Sequence, residues 1–441
     1  MIGPTDDYTP DDSDAPDAPP PGPVRVVRDD EAPPPEWSRA LACNEHGIPT
    51  KDPGNAALIL TQSQAWSGAL EHDVFAGEIQ ARSFPPLPRL PDGWPTLPPP
   101  PAGELCDQHL VYAGLWLRRA WSQSWGPEAV RAALDYAARA NPVHPLRDYL
   151  DACSVQWDGV PRVEGWLQHY FDAESRTPVQ GVYLANVGRW WLISAVARAL
   201  TPGCKVDHVL VLEGAQGAGK NQGIEALFSP WYLPELPDLR DKDAMHALGG
   251  IWCAMNDELG ATRRSDIERN KSFFTRNEDV YRAPYTRNFV RRPRSCVFAA
   301  TTNEVEYLLD VENRRWWPVR VRTVRVDELR RDRDQLWGEA VELYRAGNLW
   351  YPDASLRGAL VAEQSARVHG DLWDERIVEY LEAHPSGVRL AEIATNALLI
   401  EPSHQTPGDA QRISRCLRRN GWSPRRRSSG GSRSRLWEPE A

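Results

Sequence analysis

The chain has no long apolar run. No segment approaches the roughly 18 residues of a membrane span, and the first thirty residues carry Asp and Pro where a secretory leader needs a basic flank and an apolar stretch. The expectation is a soluble, cytoplasmic protein with no membrane partner. Cysteine pattern is also missing: Cys43, Cys106, Cys153, Cys204, Cys253, Cys296 and Cys416 form no C-x-x-C pair and no Cys/His cluster at zinc spacing. That excludes a disulfide scaffold and a zinc module and fits a reducing compartment. Nor is there an overall basic balance. The formal net charge is -10, but acid gathers at the start and arginine at the end, so the local runs matter more than the total.

What is present is an ordinary globular mixture. At 41% hydrophobic and 25% charged over 441 residues, the chain can bury a sizeable core, and its length predicts roughly two to four domains. Residues 1–36 are acidic and proline-rich with almost no large apolar side chain, so they cannot offset ordering entropy and read as a disordered tail. Residues 37–103 are poorly specified: ALILTQSQAW is a short strand-like run, DVFAGEIQARSF a second small element, and the proline cluster from Pro85 to Pro101 breaks the chain. Residues 104–200 carry helical patterns in QHLVYAGLWLRRAW, PEAVRAALDYAARAN, HPLRDYLDA, VEGWLQHYF and RWWLISAVARAL, which suggests a helical collar.

From residue 208 the pattern changes. HVLVLE, IWCAMNDE and CVFAATTN are apolar runs with polar ends, separated by helical stretches, as in a parallel sheet buried on both faces within an α/β core over 201–352. The functional groups of such a sheet gather at the C-terminal ends of its strands. The final segment, 371–441, holds three amphipathic helices (LWDERIVEYLEAH, LAEIATNALL, DAQRISRCLRRNGW) and an arginine-rich hairpin with a Gly-Gly turn, the order of a winged helix.

The chemistry begins with GAQGAGKNQG. It follows the strand HVLVLE and precedes the helix QGIEALF, the context that separates a phosphate-binding loop from a chance glycine turn. Gly214, Gln216, Gly217, Ala218 and Gly219 would turn backbone N–H groups toward phosphate oxygens, and Lys220 would neutralise the β- and γ-phosphates of ATP. Asn221 stands where the G-x-x-x-x-G-K-[ST] pattern needs a hydroxyl for Mg²⁺. Its amide is larger and uncharged, so metal binding and turnover should be weakened.

Further on, MNDELG supplies Asp257 and Glu258 as candidates to hold Mg²⁺ and orient the attacking water. TTN places Asn303 as a γ-phosphate sensor, and DVENRRWWPVRV offers Arg314 and Arg315 as fingers toward a neighbour's nucleotide. The basic and aromatic stretch NKSFFTRNEDVYRAPYTRNFVRRPRS, with Lys271, Arg276, Arg282, Arg287, Arg291, Arg292 and Arg294, suits a channel for single-stranded nucleic acid. Arg412, Arg415, Arg418 and Arg419 on the last helix, with Arg425, Arg426, Arg427, Arg433 and Arg435 on the hairpin, suit a duplex groove and its phosphates.

Taken in order, NPVHPLRDYLDACSVQWDGVPRVEGWL, WWLISAVARALTPGCKVDHVLVLEGAQGAGK, NKSFFTRNEDVYRAPY, PRSCVFAATTNE, LLDVENRRWWPVRV and DQLWGEAVELY strongly resemble the virulence-associated E family, over roughly residues 45 to 352. That resemblance implies a P-loop protein of phages and mobile islands, similar to superfamily-three replicative helicases, with an AAA+-like core. It implies a ring, hexameric in the family's manner, that hydrolyses ATP with Mg²⁺ on single- and double-stranded DNA in a bacterial host cell. It also points to Glu258, Lys271, Asn303, Arg282, Arg314 and Arg315 as the matching motif residues. The family carries Ser or Thr where Asn221 stands and an acidic residue where Met255 stands, and both departures fall on the metal side. Asp257 could compensate for Met255 through a one-residue shift near the strand end. The alternative is therefore an ATP-binding assembly factor that hydrolyses weakly or not at all. Residues 1–103 show no acidic metal-binding set of a primase, so priming is expected from a separate chain.

Overall fold

The structure, a computed structural model, describes residues 35–88, 97–238, 244–256, 272–282, 289–304, 315–352, 357–367, 373–429 and 432–439. The tail expected over residues 1–36 lies outside them except for its last two residues. Among the described residues, no helix is long and apolar enough to cross a membrane. The chain forms two compact units, one of residues 1–74 and 78–143, the other of residues 75–77 and 144–441.

In the first unit, helix α1 (Pro53–Gln62) replaces the strand expected from ALILTQSQAW. Asp52 caps it by accepting the Gly54 N–H at 2.9 Å, Pro53 sits at its first position, and Asn55, Ala56, Ile59 and Leu60 form its buried face. Start signals and helical spacing together outweigh the β-compatible composition of a short apolar run. A four-stranded sheet follows, in the order β3-β2-β1-β4, built from β1 (Leu70–Asp73), β2 (Glu78–Ala81), β3 (Gly103–Glu104) and β4 (Pro142–Val143). Helices α2 (Asp107–Trp121) and α3 (Pro127–Arg139), expected to open the collar, instead share a core with residues 41–87 through Trp66, Leu70, Phe84, Trp116, Leu117 and Leu134.

The second unit opens with α4 (Pro145–Gln156), α5 (Trp166–Tyr170) and α6 (Pro178–Leu200). Its centre is a five-stranded sheet of β5 (Val209–Glu213), β6 (Tyr232–Leu233), β7 (Cys253–Asn256), β10 (Val297–Thr302) and β11 (Trp316–Arg320), ordered β11-β5-β10-β7-β6. Every neighbouring pair is parallel. Between β7 and β10 the chain makes an antiparallel hairpin of β8 (Glu278–Tyr281) and β9 (Val290–Pro293).

Side chains of β5 alternate between two apolar clusters, which explains the unbroken VLVL run. Leu210 and Leu212 pack with α6, with α7 (Lys220–Phe228) and with α8 (Val326–Arg345), while Val209 and Val211 pack with Phe273, Phe274 and Leu248. Trp191, Trp252, Trp317 and Trp337 are almost fully buried in the first cluster. Each large apolar side chain buried this way contributes about 1.5–3 kcal/mol, so the sheet is held rigidly and its C-terminal edge becomes a firm platform.

Beyond the sheet lie α9 (Arg357–Ser365), α10 (Asp374–Ala383), a short helical segment (Leu390–Glu392 running into Ile393–Ala397), α11 (Pro407–Arg419) and the antiparallel hairpin of β12 (Trp422–Ser429) and β13 (Ser432–Pro439). Thr406 and Asp409 cap α11 reciprocally. Ile377, Leu381, Ile413, Leu417, Trp422 and Trp437 form the core of this segment.

Candidate nucleotide-binding site

Strand β5 ends at Glu213 and helix α7 begins at Lys220, so the glycine loop spans the C-terminal edge of the sheet. Gly214 passes so close to β11's exit that a Cβ there would collide with the Val321 carbonyl oxygen. Gly219 has φ +85°, a left-handed conformation that glycine adopts without strain, and it starts α7 with no side-chain cap. The loop is braced from both sides: the Gly214 N–H donates to Thr302 at 3.2 Å, and the Val324 N–H donates to Ala218 at 2.9 Å. An uncapped helix start and a glycine turn at a strand end together favour an anion.

Lys220 is 7% exposed, and its ammonium donates to the carbonyls of Gly214 at 2.5 Å and Ala215 at 2.9 Å, and to Asn303 Oδ1 at 3.1 Å. Asn303 follows β10, which pairs with β5 on one side and β7 on the other. Strand order alone therefore brings the sensor candidate beside the loop. A cleft of about 320 Å³ is lined by Gln216 to Gln222 and by Thr301, Thr302 and Asn303. A second cavity, about 470 Å³, meets it at Asn303 and is lined by Gly214, Ala215, Tyr183, Leu184, Pro318 and several charged side chains.

The metal side is less well furnished. Met255 is fully buried in the apolar cluster with Trp252, Leu210 and Leu212, where a carboxylate would be desolvated without a partner. The Asn256 Nδ2 is buried and has no hydrogen-bond partner among the described residues. Asn221 lines the cleft. Asp257, Glu258, Lys271, Arg287 and Arg314 lie outside the described residues.

Arg315 lies elsewhere. It immediately precedes β11, and its carbonyl accepts the Val209 N–H at 2.8 Å, at the edge of the sheet where β5 starts. Five strand residues at a rise of about 3.3 Å put that edge roughly 15 Å from the loop of the same chain. The arginines nearer the loop are Arg320, paired in register with Glu213, and Arg322; both face Glu174, at 3.9 and 3.0 Å. Hydrogen bonds from Arg322, then Arg176, hold the Glu174 carboxyl below its ordinary range.

The basic stretch divides by burial. Arg294 is 1% exposed and forms a forked ion pair with Asp279 while donating to the Phe273 carbonyl at 2.5 Å. It is therefore part of the core, contrary to the channel role expected of it, because a buried guanidinium spends its donors on internal acceptors. Arg292 donates to the Phe75 and Ala76 carbonyls, and Arg276 packs on Phe273. Arg282 remains exposed, its guanidinium 5.1 Å from the ring of Phe289, which is 66% exposed. On α11, Arg412 stacks on Trp373 at 3.6 Å and Arg419 pairs with Asp374, whereas Arg415 is half-buried and Arg418 exposed. Arg426 stands opposite Arg435 on the hairpin.

Glu174, Glu213, Arg320 and Arg367 went unnoticed in the sequence. Glu213 did leave a signal, a carboxylate closing an apolar strand directly before a glycine loop. Arg367 left none, since its partner Glu213 is 154 residues away.

The family model described as the virulence-associated protein E-like domain matches residues 150–369. No curated protein matches the chain. Among solved structures, "The apo structure of NrS-1 C terminal region (305-718)" is similar at 10% identity and TM-score 0.44, covering 88% of this chain and 99% of that one. A second form, "The A form apo structure of NrS-1 C terminal region-CTR(305-718)", gives the same identity and TM-score over 88% of this chain and 100% of that one.

Proposed function

Residues 150–369 belong to the virulence-associated protein E-like domain family, and on that premise we propose that the chain is a phage or mobile-element replication protein that binds and hydrolyses ATP to move DNA. The observation that carries this reading is the bond from Lys220 to Asn303, which joins the glycine loop to the neighbouring strand's end and leaves a cleft over both. A lysine held there neutralises phosphate charge, the loop N–H groups receive the phosphate oxygens, and the Asn303 amide orients the terminal phosphate and the attacking water. Mg²⁺, held by Asn221 and Asp257, would neutralise charge developing on the transferred phosphate.

The place of Arg315 supports a ring. An arginine at the far edge of the sheet cannot reach its own nucleotide but can serve the next subunit's, the arrangement of a finger acting in trans within a homo-oligomer, by family resemblance a hexamer. Strand order supports an AAA+-like core, since it lines up the glycine loop, Asn303 and the end of β7 along one edge. The exposed Arg282 and Phe289 beside the tip of the β8–β9 hairpin suit a single strand, with a guanidinium for phosphate and a ring for a base. The three helices and hairpin at 373–439 support a winged helix on duplex DNA, with Arg415 and Arg418 on one face of α11 and Arg426 on the wing. The bacterial cytoplasm would be the place of action.

The test is phosphate release from ATP with and without single- and double-stranded DNA. DNA-stimulated release that disappears in Lys220→Ala supports the motor; equal release by parent and variant sinks it.

A second reading is favoured by the metal side, where Asn221 replaces a hydroxyl and Met255 is buried among apolar side chains. The chain would then bind ATP and assemble on DNA with turnover near background. Asn221→Thr should raise the rate under this reading and leave an already active enzyme unchanged under the first.

A further inference from the structure

Arg367 reaches the nucleotide site from outside the sheet. It follows α9, and its guanidinium spans both oxygens of Glu213, with Nε at 2.6 Å from Oε1 and Nη2 at 3.1 Å from Oε2. The remaining Nη1 donates to Glu363 Oε2 at 2.5 Å and to the Glu363 carbonyl at 2.7 Å. All three side chains are nearly buried, at 12% exposure for Arg367, 8% for Glu213 and 14% for Glu363.

Glu213 is the last residue of β5, and the next residue, Gly214, supplies the carbonyl that Lys220 bonds at 2.5 Å. The path from Arg367 to Lys220 is therefore short and rigid: a bidentate ion pair, one peptide, one hydrogen bond. Gly214 is held on both sides, because the Val321 N–H donates to the Glu213 carbonyl at 2.7 Å and the Gly214 N–H donates to the Thr302 carbonyl at 3.2 Å. A surface ion pair would do little here, but a desolvated forked pair holds its partner's backbone in one place.

We propose that Arg367 is a positioning residue of the nucleotide site, acting through Glu213 on Gly214 and so on the place of Lys220. Resting on the nucleotide-binding reading above, it adds that the site is completed by a segment following the sheet, at the point where the chain leaves for its C-terminal helices. Arg367 touches no phosphate in this role; it keeps the start of the loop where a phosphate can meet the lysine.

The experiment measures affinity for a fluorescent ATP analogue and steady-state ATP hydrolysis in the full chain, for Arg367→Ala, Arg367→Lys, Glu213→Gln and the double variant Glu213→Gln with Arg367→Ala, with circular dichroism as a check of folding. A displacement of the lysine of about 1 Å is expected to cost roughly a hundredfold in turnover. Arg367→Lys, which keeps the charge but loses the fork, should lose nearly as much while remaining folded. The double variant should be no worse than the poorer single one, because both act on the same path. Folded Arg367→Lys with parental affinity and turnover overturns the proposal, as does simple additivity of the two single losses. A parent that binds no nucleotide removes this proposal and the nucleotide reading together, whereas a parent that binds ATP, loses it in Lys220→Ala and is indifferent to position 367 removes this proposal alone.

Discussion

Lys220 and Asn303 are 83 residues apart in the chain and 3.1 Å apart in space, joined through the ammonium and the amide oxygen. The pair divides labour in the proposed site, and substitution should separate the two roles. Lys220→Ala is expected to abolish binding of a fluorescent ATP analogue, since nothing else in the loop carries a positive charge. Asn303→Ala should bind with near-parental affinity and lose about a hundredfold or more in phosphate release, the scale of removing one aligned polar group from a transition state. Loss of binding in Asn303→Ala would show that the residue is part of the loop's architecture instead.

Arg315 sits at the sheet edge opposite its own loop, so its effect should be visible only between subunits. The double substitution Arg314→Ala, Arg315→Ala is expected to lower hydrolysis by about a thousandfold or more while leaving ATP binding intact. Mixed with Lys220→Ala, which keeps its arginines, the inactive variant should recover measurable hydrolysis. No recovery in mixed assemblies counts against the trans arrangement.

Arg282 and Arg294 come from one basic stretch and should behave as different kinds of residue. Arg282→Ala is expected to weaken single-stranded DNA binding and to lower the slope of log affinity against log salt by about 0.7, the share of one phosphate contact. Thermal unfolding should hardly change. Arg294→Ala strands Asp279 in the core and should destabilise the fold by about 3–5 kcal/mol, read from urea unfolding. An Arg282 variant with parental salt dependence argues that the hairpin does not meet the strand.

His208 lies buried against Trp317, the rings stacked with centroids 3.6 Å apart. Burial, with the Arg198 charge adding to it, pushes its imidazole down from 6.5 to about 3. Between those pH values the unfolded chain takes up a proton that the folded one refuses. The neutral ring therefore supports the fold fully above the unfolded value, and that support falls as pH drops, by about 1.4 kcal/mol per unit. Urea unfolding at pH 6.5 and 5.5 should show the parent losing about 1 kcal/mol more stability than His208→Phe, because the unfolded imidazole is already half protonated at the upper pH. Equal losses in both proteins would mean that the buried ring is not what senses pH.

Much of the loop's geometry was legible in the sequence, because it is local: glycines, a lysine and a helix start that are neighbours in the chain are neighbours in space. Asn303 was legible through a weaker but general rule, that polar residues closing buried parallel strands collect at one edge. Local grammar failed where a short apolar run could be either element, and α1 formed because Asp52 and Pro53 start a helix whose buried face repeats at helical spacing.

The sequence by itself determined the glycine loop between a strand and a helix, three of the five strands of the parallel sheet, the family resemblance and the order of three helices and a hairpin at the end, since each is written in adjacent residues. Only the tertiary structure decided which arginines are core and which are surface, that Arg315 sits at the end of the sheet away from the glycine loop, and that Glu213 and Arg367 grip each other. A charge pattern does not record burial, and a fold alone brings together partners that stand 154 residues apart in the chain.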